Sequence, residues 1–250
     1  MRNPFARRPP ERPPAKVESG LRIYAVGDIH GRLDLLEELF VLIRDDLATA
    51  KPPSSLVVFL GDYMDRGPAS RGVIEALLSE PPLCDRQVFL RGNHEAVLME
   101  VLGDASVMTH WSQFGGLDTL RSYGVELDLP IGPADFERLR LRFAEKLPDR
   151  HRTFLAATRL SYETSDYFFV HAGVRPGIAL SAQKEEDLLW IRKPFLTSPN
   201  PASKVVVHGH TPVASPELLP HRINVDTGAF MTGKLTCVVL EDTRRRILTT

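Results

Sequence analysis

Leu56-Val57-Val58-Phe59-Leu60-Gly61-Asp62-Tyr63-Met64-Asp65-Arg66-Gly67 joins an unbroken apolar run to a polar loop bounded by glycines. A short run of β-branched and aromatic residues that stops at glycine reads as a buried strand ending in a turn. The residues that follow, Ser70 to Leu78, carry apolar side chains at helical spacing. The same order occurs upstream, where Leu21 to Val26 reads as a strand, Gly27-Asp28-Ile29-His30-Gly31 as its loop and Asp34 to Ala50 as a helix. It recurs downstream in Gln87 to Leu90, Arg91-Gly92-Asn93-His94-Glu95 and Ala96 to Leu102. Consecutive strand, polar loop and helix units predict an α/β sheet with its polar loops gathered at the strands' C-terminal ends.

From about 104 to 165 the chain lacks such loops and reads as mostly helical, notably Pro133 to Lys146 and Arg150 to Ala157, as an insert forming a cap or wall. Strands then return at Tyr167 to Val170, Val205 to Val207, Arg222 to Val225 and Leu235 to Leu240, which suggests a second sheet packed on the first. Trp111, Phe114 and Tyr123 read as packing residues of the insert, and Arg244-Arg245-Arg246 as a solvated charge run.

The chain has 250 residues and is 43% hydrophobic, enough for one domain with a full core. Residues 1–19, rich in Pro and Arg, read as a disordered leader, and 20–250 as the domain. The leader lacks the apolar stretch of a secretory signal, and its Pro-Pro pairs oppose an amphipathic targeting helix. Lys plus Arg number 31 against 32 Asp plus Glu, so no global field favours nucleic acid or an anionic membrane. Cys84 and Cys237 form neither a disulfide framework nor a thiolate metal site, and no apolar run spans a bilayer. A cytoplasmic location, without membrane or nucleic-acid partners, is the expectation.

Asp28, His30, Asp62, Asn93, His171 and His210 each stand in a short loop just after an apolar strand, where side chains from separate strands can converge. Carboxylate, imidazole and amide oxygen without thiolate suit Mn, Fe or Zn. A carboxylate bridging two such ions is the recurring device of hydrolytic two-metal sites. Gly27, Gly61, Gly92 and Gly209 precede ligand candidates where the chain must turn or approach an ion closely.

Taken together, GDIHG at 27–31, GDYMDRG at 61–67, RGNHE at 91–95, HAG at 171–173 and GHTP at 209–212 resemble the motifs of the calcineurin-like metallophosphoesterases. Within that superfamily they resemble the bacterial branch of the phosphoprotein (serine/threonine) phosphatases. The resemblance implies a four-layer α-β-β-α sandwich of two mixed sheets with a dinuclear centre at one edge. It implies two divalent ions, manganese first and iron or zinc as alternatives. Asp28 and His30 would hold the first ion and Asp62 would bridge, while Asn93, His171 and His210 would hold the second. Pro212 stands where the wider superfamily often has a further His, as in the phosphatase branch. His208 then reads as a buried neighbour of the ligand His210.

The same resemblance makes His94, oriented by Asp65, the proton donor to the leaving oxygen, and gives Arg66, Arg192 and Asn93 contacts to the substrate phosphate. A guanidinium offers a planar pair of donors that lysine cannot. Arg175 rivals Arg192, Arg91 reads as support for its own loop, and Asp226 as a turn residue. The implied reaction is hydrolysis of a phosphomonoester by a hydroxide held between the ions, with a phosphorylated protein as first substrate. Symmetrical cleavage of diadenosine tetraphosphate is the alternative within this chemistry, and a nuclease is disfavoured by the balanced charge. A non-catalytic binding scaffold is the alternative of another class, disfavoured because every proposed ligand is present.

Overall fold

The computed structural model describes residues 14–79, 81–128 and 130–250. Among these residues, ten strands make two five-stranded mixed sheets: β1 (Leu21–Val26), β2 (Ser54–Phe59), β3 (Arg86–Phe89), β4 (Ser161–Glu163), β5 (Tyr167–Val170), β6 (Val205–His208), β7 (Glu217–Leu218), β8 (Arg222–Asn224), β9 (Thr236–Glu241) and β10 (Arg244–Thr249). The first sheet runs β10-β9-β1-β2-β3 and the second β4-β5-β6-β8-β7. β1, β2 and β3 are parallel, as are β5, β6 and β8; antiparallel pairings flank them at every edge except β3. Each parallel set aims its C-terminal ends at one rim, and the strand-end loops assemble there.

The period-two alternation of the strands decides the layers. On β1, Ile23 and Ala25 face the second sheet, where they pack with Leu56, Val58, Tyr167, Phe169, Val207 and Val225. Tyr24 and Val26 face the other way, into a larger core with the helices. Those helices are α1 (Leu33–Ala50), α2 (Ser70–Leu77), α3 (Asn93–Gly103), α4 (Met108–Trp111), α5 (Gly116–Ser122), α6 (Phe136–Lys146) and α7 (Asp149–Ala157). On α1 the buried residues Leu35, Leu36, Leu39, Phe40 and Ile43 form one stripe. The fourth layer is thin. Over the outer face of the second sheet, Leu188 of α8 (Glu185–Trp190) packs with Ile191 and Phe195 against Phe168, Val170 and Val206. A last short helix, α9 (Ala229–Thr232), precedes β9. No helix among the described residues is long and apolar enough to cross a membrane.

Several boundaries differ from the sequence expectation. The leader was placed at 1–19, but residues 1–13 lie outside the described part, and from there the chain already packs on the domain. Val17 is fully buried, its N–H donates to Asp242, and the Lys16 N–H donates to Asp166. The helical insert ends before 161, because Ser161–Glu163 is an edge strand of the second sheet. The insert is built into the domain: Met108, Trp111, Leu120, Tyr123, Phe136 and Phe143 share one core with α1, α2 and α3.

The Arg244-Arg245-Arg246 run lies in the edge strand β10, with Arg244 and Arg246 exposed as the solvated reading expects and Arg245 half-buried. Arg246 pairs with Asp46 of α1, and Arg245 lies over the Tyr167 ring, tying the two sheets together. Charges on an edge strand also block further strand addition.

Candidate metal centre and active site

The loops after β1, β2, β3, β5, β6 and β8 meet at the shared rim of the sheets. Asp62 is the centre. Its Oδ2 lies 3.4 Å from His30 Nε2, 3.5 Å from His171 Nε2 and 3.9 Å from His94 Nε2. Asn93 Oδ1 is 2.9 Å from both His171 Nε2 and His210 Nδ1. Two groups of potential ligand atoms result, His30 with Asp62 and His94, and Asp62 with His171 and His210, and all of these residues are buried. Asp62 belongs to both.

The protonation pattern tests whether this set fits cations. His30 Nδ1 donates to the Met64 carbonyl at 2.8 Å and His171 Nδ1 to the Leu60 carbonyl at 2.9 Å. A carbonyl only accepts, so each ring keeps its proton on Nδ1 and turns the Nε2 lone pair inward. His171 Nε2 thus faces Asn93 Oδ1, and His30 Nε2 faces a carboxylate. Acceptors facing acceptors at these distances repel unless a cation lies among them. His210 Nε2 is buried without a hydrogen-bond partner among the described residues. Burial pushes His30 down to about 3 and His210 to about 2, and lowers His171 as well, so all three are neutral donors of a lone pair. Burial opposes the charge on Asp62, but the surrounding imidazoles outweigh it and hold the carboxyl well below its usual range. The residues fit a pair of divalent ions.

Asp28 sits beside these groups rather than inside them: both its oxygens accept from the His210 backbone N–H, at 3.2 and 3.0 Å. Burial, then the carboxylates of Asp226 and Asp62, push it well above its ordinary value. Asp226 takes the turn role read from the sequence, with one oxygen left over. Its Oδ1 accepts from the Gly228 N–H, while Oδ2 is buried without a hydrogen-bond partner among the described residues. His208 lies outside both groups, edge-on to Phe195, and burial pushes it to about 3.

His94 differs from its neighbours. Its Nδ1 donates to Asp65 Oδ2 at 2.7 Å, and Nε2 faces the cavity 3.1 Å from an Arg66 nitrogen. Burial would lower its pKa, but Asp62 and Asp65 outweigh that and raise it, the reverse of His30, His171 and His210. Arg66 lies with its guanidinium 4.8 Å from the Phe230 ring centre. Arg192 lines the same cavity, of about 200 Å³, together with Phe114 and Trp190, which are 44% and 40% exposed. Arg175, by contrast, is tied to Asp187, and Arg91 donates to Thr158 and Ala156 behind its loop. Phe114, expected to be packed, is therefore on the cavity rim.

Three contributors escape a reading of the sequence. Glu95 is fully buried and accepts from the backbone N–H groups of Asp62, Tyr63 and Gly92, stitching the loops after β2 and β3 together. A Glu three residues after a helix-starting Gly is the one signal that could have marked it. Trp111 and Thr119 donate to Asp65 from 46 and 54 residues away, contacts that leave no local trace.

Several known proteins are similar to this chain in sequence or in fold. A bis(5'-nucleosyl)-tetraphosphatase PrpE, described as asymmetrical, from Geobacillus sp. (strain WCH70) is 27% identical over 237 residues, covering 86% of this chain and 89% of that one. Its counterpart from Anoxybacillus flavithermus is 24% identical over 232 residues, covering 85% and 88%. Among solved structures, a protein provisionally named a diadenosine tetraphosphatase superposes with a TM-score of 0.63 at 20% identity, covering 94% of this chain and 98% of that one. A serine/threonine phosphatase from Saccharomyces cerevisiae superposes with a TM-score of 0.51 at 17% identity, covering 93% and 80%. At such identities these two structures speak for the fold alone. Residues 21–233 match the calcineurin-like phosphoesterase family, and the chain belongs to it.

Proposed function

We propose that this chain hydrolyses dinucleoside tetraphosphates, splitting them asymmetrically at a centre of two divalent cations, manganese first among them. Neutral imidazole lone pairs converging on one buried carboxylate carry the hydrolytic part of this reading. His30 and Asp62, with Asp28 alongside, would hold one ion, and Asp62, Asn93, His171 and His210 the other. Such ions supply Lewis acidity at the phosphoryl group and acidify the attacking water.

The protein's own groups supply the rest. Arg66 and Arg192 both line the cavity and bind phosphoryl oxygens. Asn93 places its amide beside the same oxygens. His94, oriented by Asp65 at Nδ1, turns Nε2 to the cavity and delivers the proton it carries in its charged form to the leaving oxygen. The aromatic rim of Phe114 and Trp190 favours a substrate with a planar base. The tetraphosphatase names of relatives spanning most of the chain point the same way. On this support we rank nucleotides ahead of phosphoproteins, which the segments 61–67 and 91–95 put first when read alone. A cytoplasmic location suits such a substrate.

The phosphoprotein reading stays as the second, on those two segments. One panel separates them. Purified enzyme with manganese should release ATP and AMP from diadenosine tetraphosphate faster than phosphate from phosphoserine peptides, whereas two ADP would signify symmetrical cleavage. Asp62→Asn and His94→Ala should each lower turnover by at least about a hundredfold. Near-normal turnover in both would overturn the mechanism, whereas a parent enzyme that turns over neither substrate would favour the binding-scaffold alternative.

A further inference from the structure

The loop that carries Asp65 and Arg66 is unusual in its backbone. Both residues have φ 67, the left-handed region that a side chain with a Cβ rarely occupies. What holds them there comes from the helical insert. Thr119 Oγ1 accepts from the Asp65 N–H at 3.0 Å and donates to Asp65 Oδ1 at 2.5 Å. The Gly115 carbonyl accepts from the Arg66 N–H at 3.3 Å. The Trp111 indole N–H donates at 2.9 Å to Asp65 Oδ2, the same oxygen that accepts from His94 Nδ1. Asp65 and Thr119 are fully buried and Trp111 is 1% exposed, so water does not compete for these contacts.

A carboxylate fixed at both oxygens fixes its ring partner. With Nδ1–H committed to Oδ2, His94 can rotate only by breaking a hydrogen bond whose acceptor is itself immobile. Nε2 is thereby held toward Asp62 and Arg66, at the cavity floor. Were Asp65 held only by Ser70, which also accepts from its N–H, the carboxylate would be free to swing.

We propose that Trp111 and Thr119 are positioning residues for proton transfer by His94, so that the helical insert is part of the reaction machinery. This rests on the reading of His94 as the acid. In that step the bond from phosphorus to the leaving oxygen breaks, its electron pair stays on oxygen, and the Nε2 proton passes to that oxygen. The hydroxyl of water takes the vacated place on phosphorus, and the second proton of that water restores the imidazolium.

The test uses variants that remove the donor and keep the bulk. Trp111 also packs against Phe143, 5.9 Å between ring centres, so Trp111→Ala would confuse packing with positioning. Trp111→Phe and Thr119→Val are compared with Thr119→Ser, which keeps the hydroxyl. Turnover is measured with manganese on phenyl phosphate, whose leaving group needs a proton, and on 4-nitrophenyl phosphate, whose leaving group does not.

The expected result is a roughly tenfold loss of kcat on the phenyl ester for Trp111→Phe and Thr119→Val. The nitrophenyl ester, KM, metal content and melting temperature should change little, and Thr119→Ser should behave as the parent. Independently of turnover, the downfield proton resonance of His94 Nδ1 should move in both variants. Equal losses on the two esters, or an unmoved resonance, would overturn the proposal. His94→Ala marks where a failure lies. If it discriminates between the esters and Trp111→Phe does not, positioning is wrong; if it does not discriminate, the acid role falls and the proposal with it.

Discussion

Removing Glu95 should unlatch the loops after β2 and β3, even with no ion bound. Its Oε2 accepts from the N–H groups of Asp62 and Gly92, both at 2.8 Å, and Oε1 from that of Tyr63 at 2.9 Å. Glu95→Ala strands three buried donors, at about 1–3 kcal/mol each. Against that stands the unfavourable burial of the carboxylate itself: desolvation, then the neighbouring Asp62, push Glu95 up to about 7 despite the three donors. The net loss is on the order of 3 kcal/mol, or roughly 6–12 °C in Tm for a chain of this length.

Glu95→Gln is the informative comparison. Its carbonyl can take the two-donor position, leaving only the Tyr63 N–H opposed by an amide NH2, and it removes a charge beside Asp62. About 1 kcal/mol is then the expected cost. Urea unfolding in EDTA isolates this effect from ion binding, with the m-value checked for constancy. A Glu95→Ala variant within about 0.5 kcal/mol of the parent, or a Glu95→Gln variant equally damaged, would refute the latch.

Gly92→Ala tests the same junction sterically, because a Cβ there would lie 2.1 Å from Asp62 Oδ1. It should abolish stoichiometric manganese binding, read by elemental analysis, while leaving far-ultraviolet dichroism unchanged. At the cavity rim, Trp190→Ala and Phe114→Ala should each raise KM for diadenosine tetraphosphate about tenfold, the value of one base stacked on an aromatic ring. Steady-state kinetics should show KM for a small phosphate ester unchanged in both.

Asp46 provides a pH-dependent test away from the ions. It accepts from the Tyr24 hydroxyl, Arg22 and Arg246 at 2.7, 2.8 and 2.8 Å, with Glu241 sharing Arg22. Burial opposes its ionisation, but Tyr24 and the two guanidiniums prevail and lower its pKa. A carboxyl depressed by folding contributes fully above its unfolded pKa and loses that contribution as pH falls through the folded value. The Tm gap between the parent and Asp46→Asn should therefore be widest near neutrality and close below about pH 4.

Much of the architecture is legible in single strands. Leu21–Val26, Ser54–Phe59 and Tyr167–Val170 are almost wholly buried, so their apolar runs stand out against the loops that end them. The placement of Asp28, His30, Asp62, Asn93, His171 and His210 after such strands was enough to bring them to one rim. What it could not supply is orientation. Asp28 turns to the His210 N–H, a contact across 182 residues, and helix α3 begins at Asn93 rather than at 96. Glu95 causes the second difference by drawing in the Gly92 N–H. β10 was hidden because three arginines read as solvent-facing, when the alternation of Arg245 and Ile247 against Arg246 and Leu248 puts them on opposite faces of an edge strand.

The backbone explains why such a site must be carried by a large, well-packed scaffold. Seven non-glycine residues among the described ones have positive φ, and five of them, His30, Asp62, Asp65, Arg66 and His210, are residues of the site. Conformations of this kind cost about 1–3 kcal/mol each and survive only where the surroundings over-determine them. Here the surroundings are identifiable: the Asp62 carbonyl holds His30, Glu95 holds Asp62, Thr119 holds Asp65, Gly115 holds Arg66, and the Asp28 carboxylate holds His210. Asp62, Arg66 and His210 line the cavity, while His30 and Asp65 lie behind it, and each of the five is held by a residue from another part of the chain. It follows that substitutions at Glu95, Thr119 and Gly115, none of which faces the substrate, should act on the reaction through backbone geometry, and that helices remote from the strand-end loops are as necessary to the site as the loops themselves.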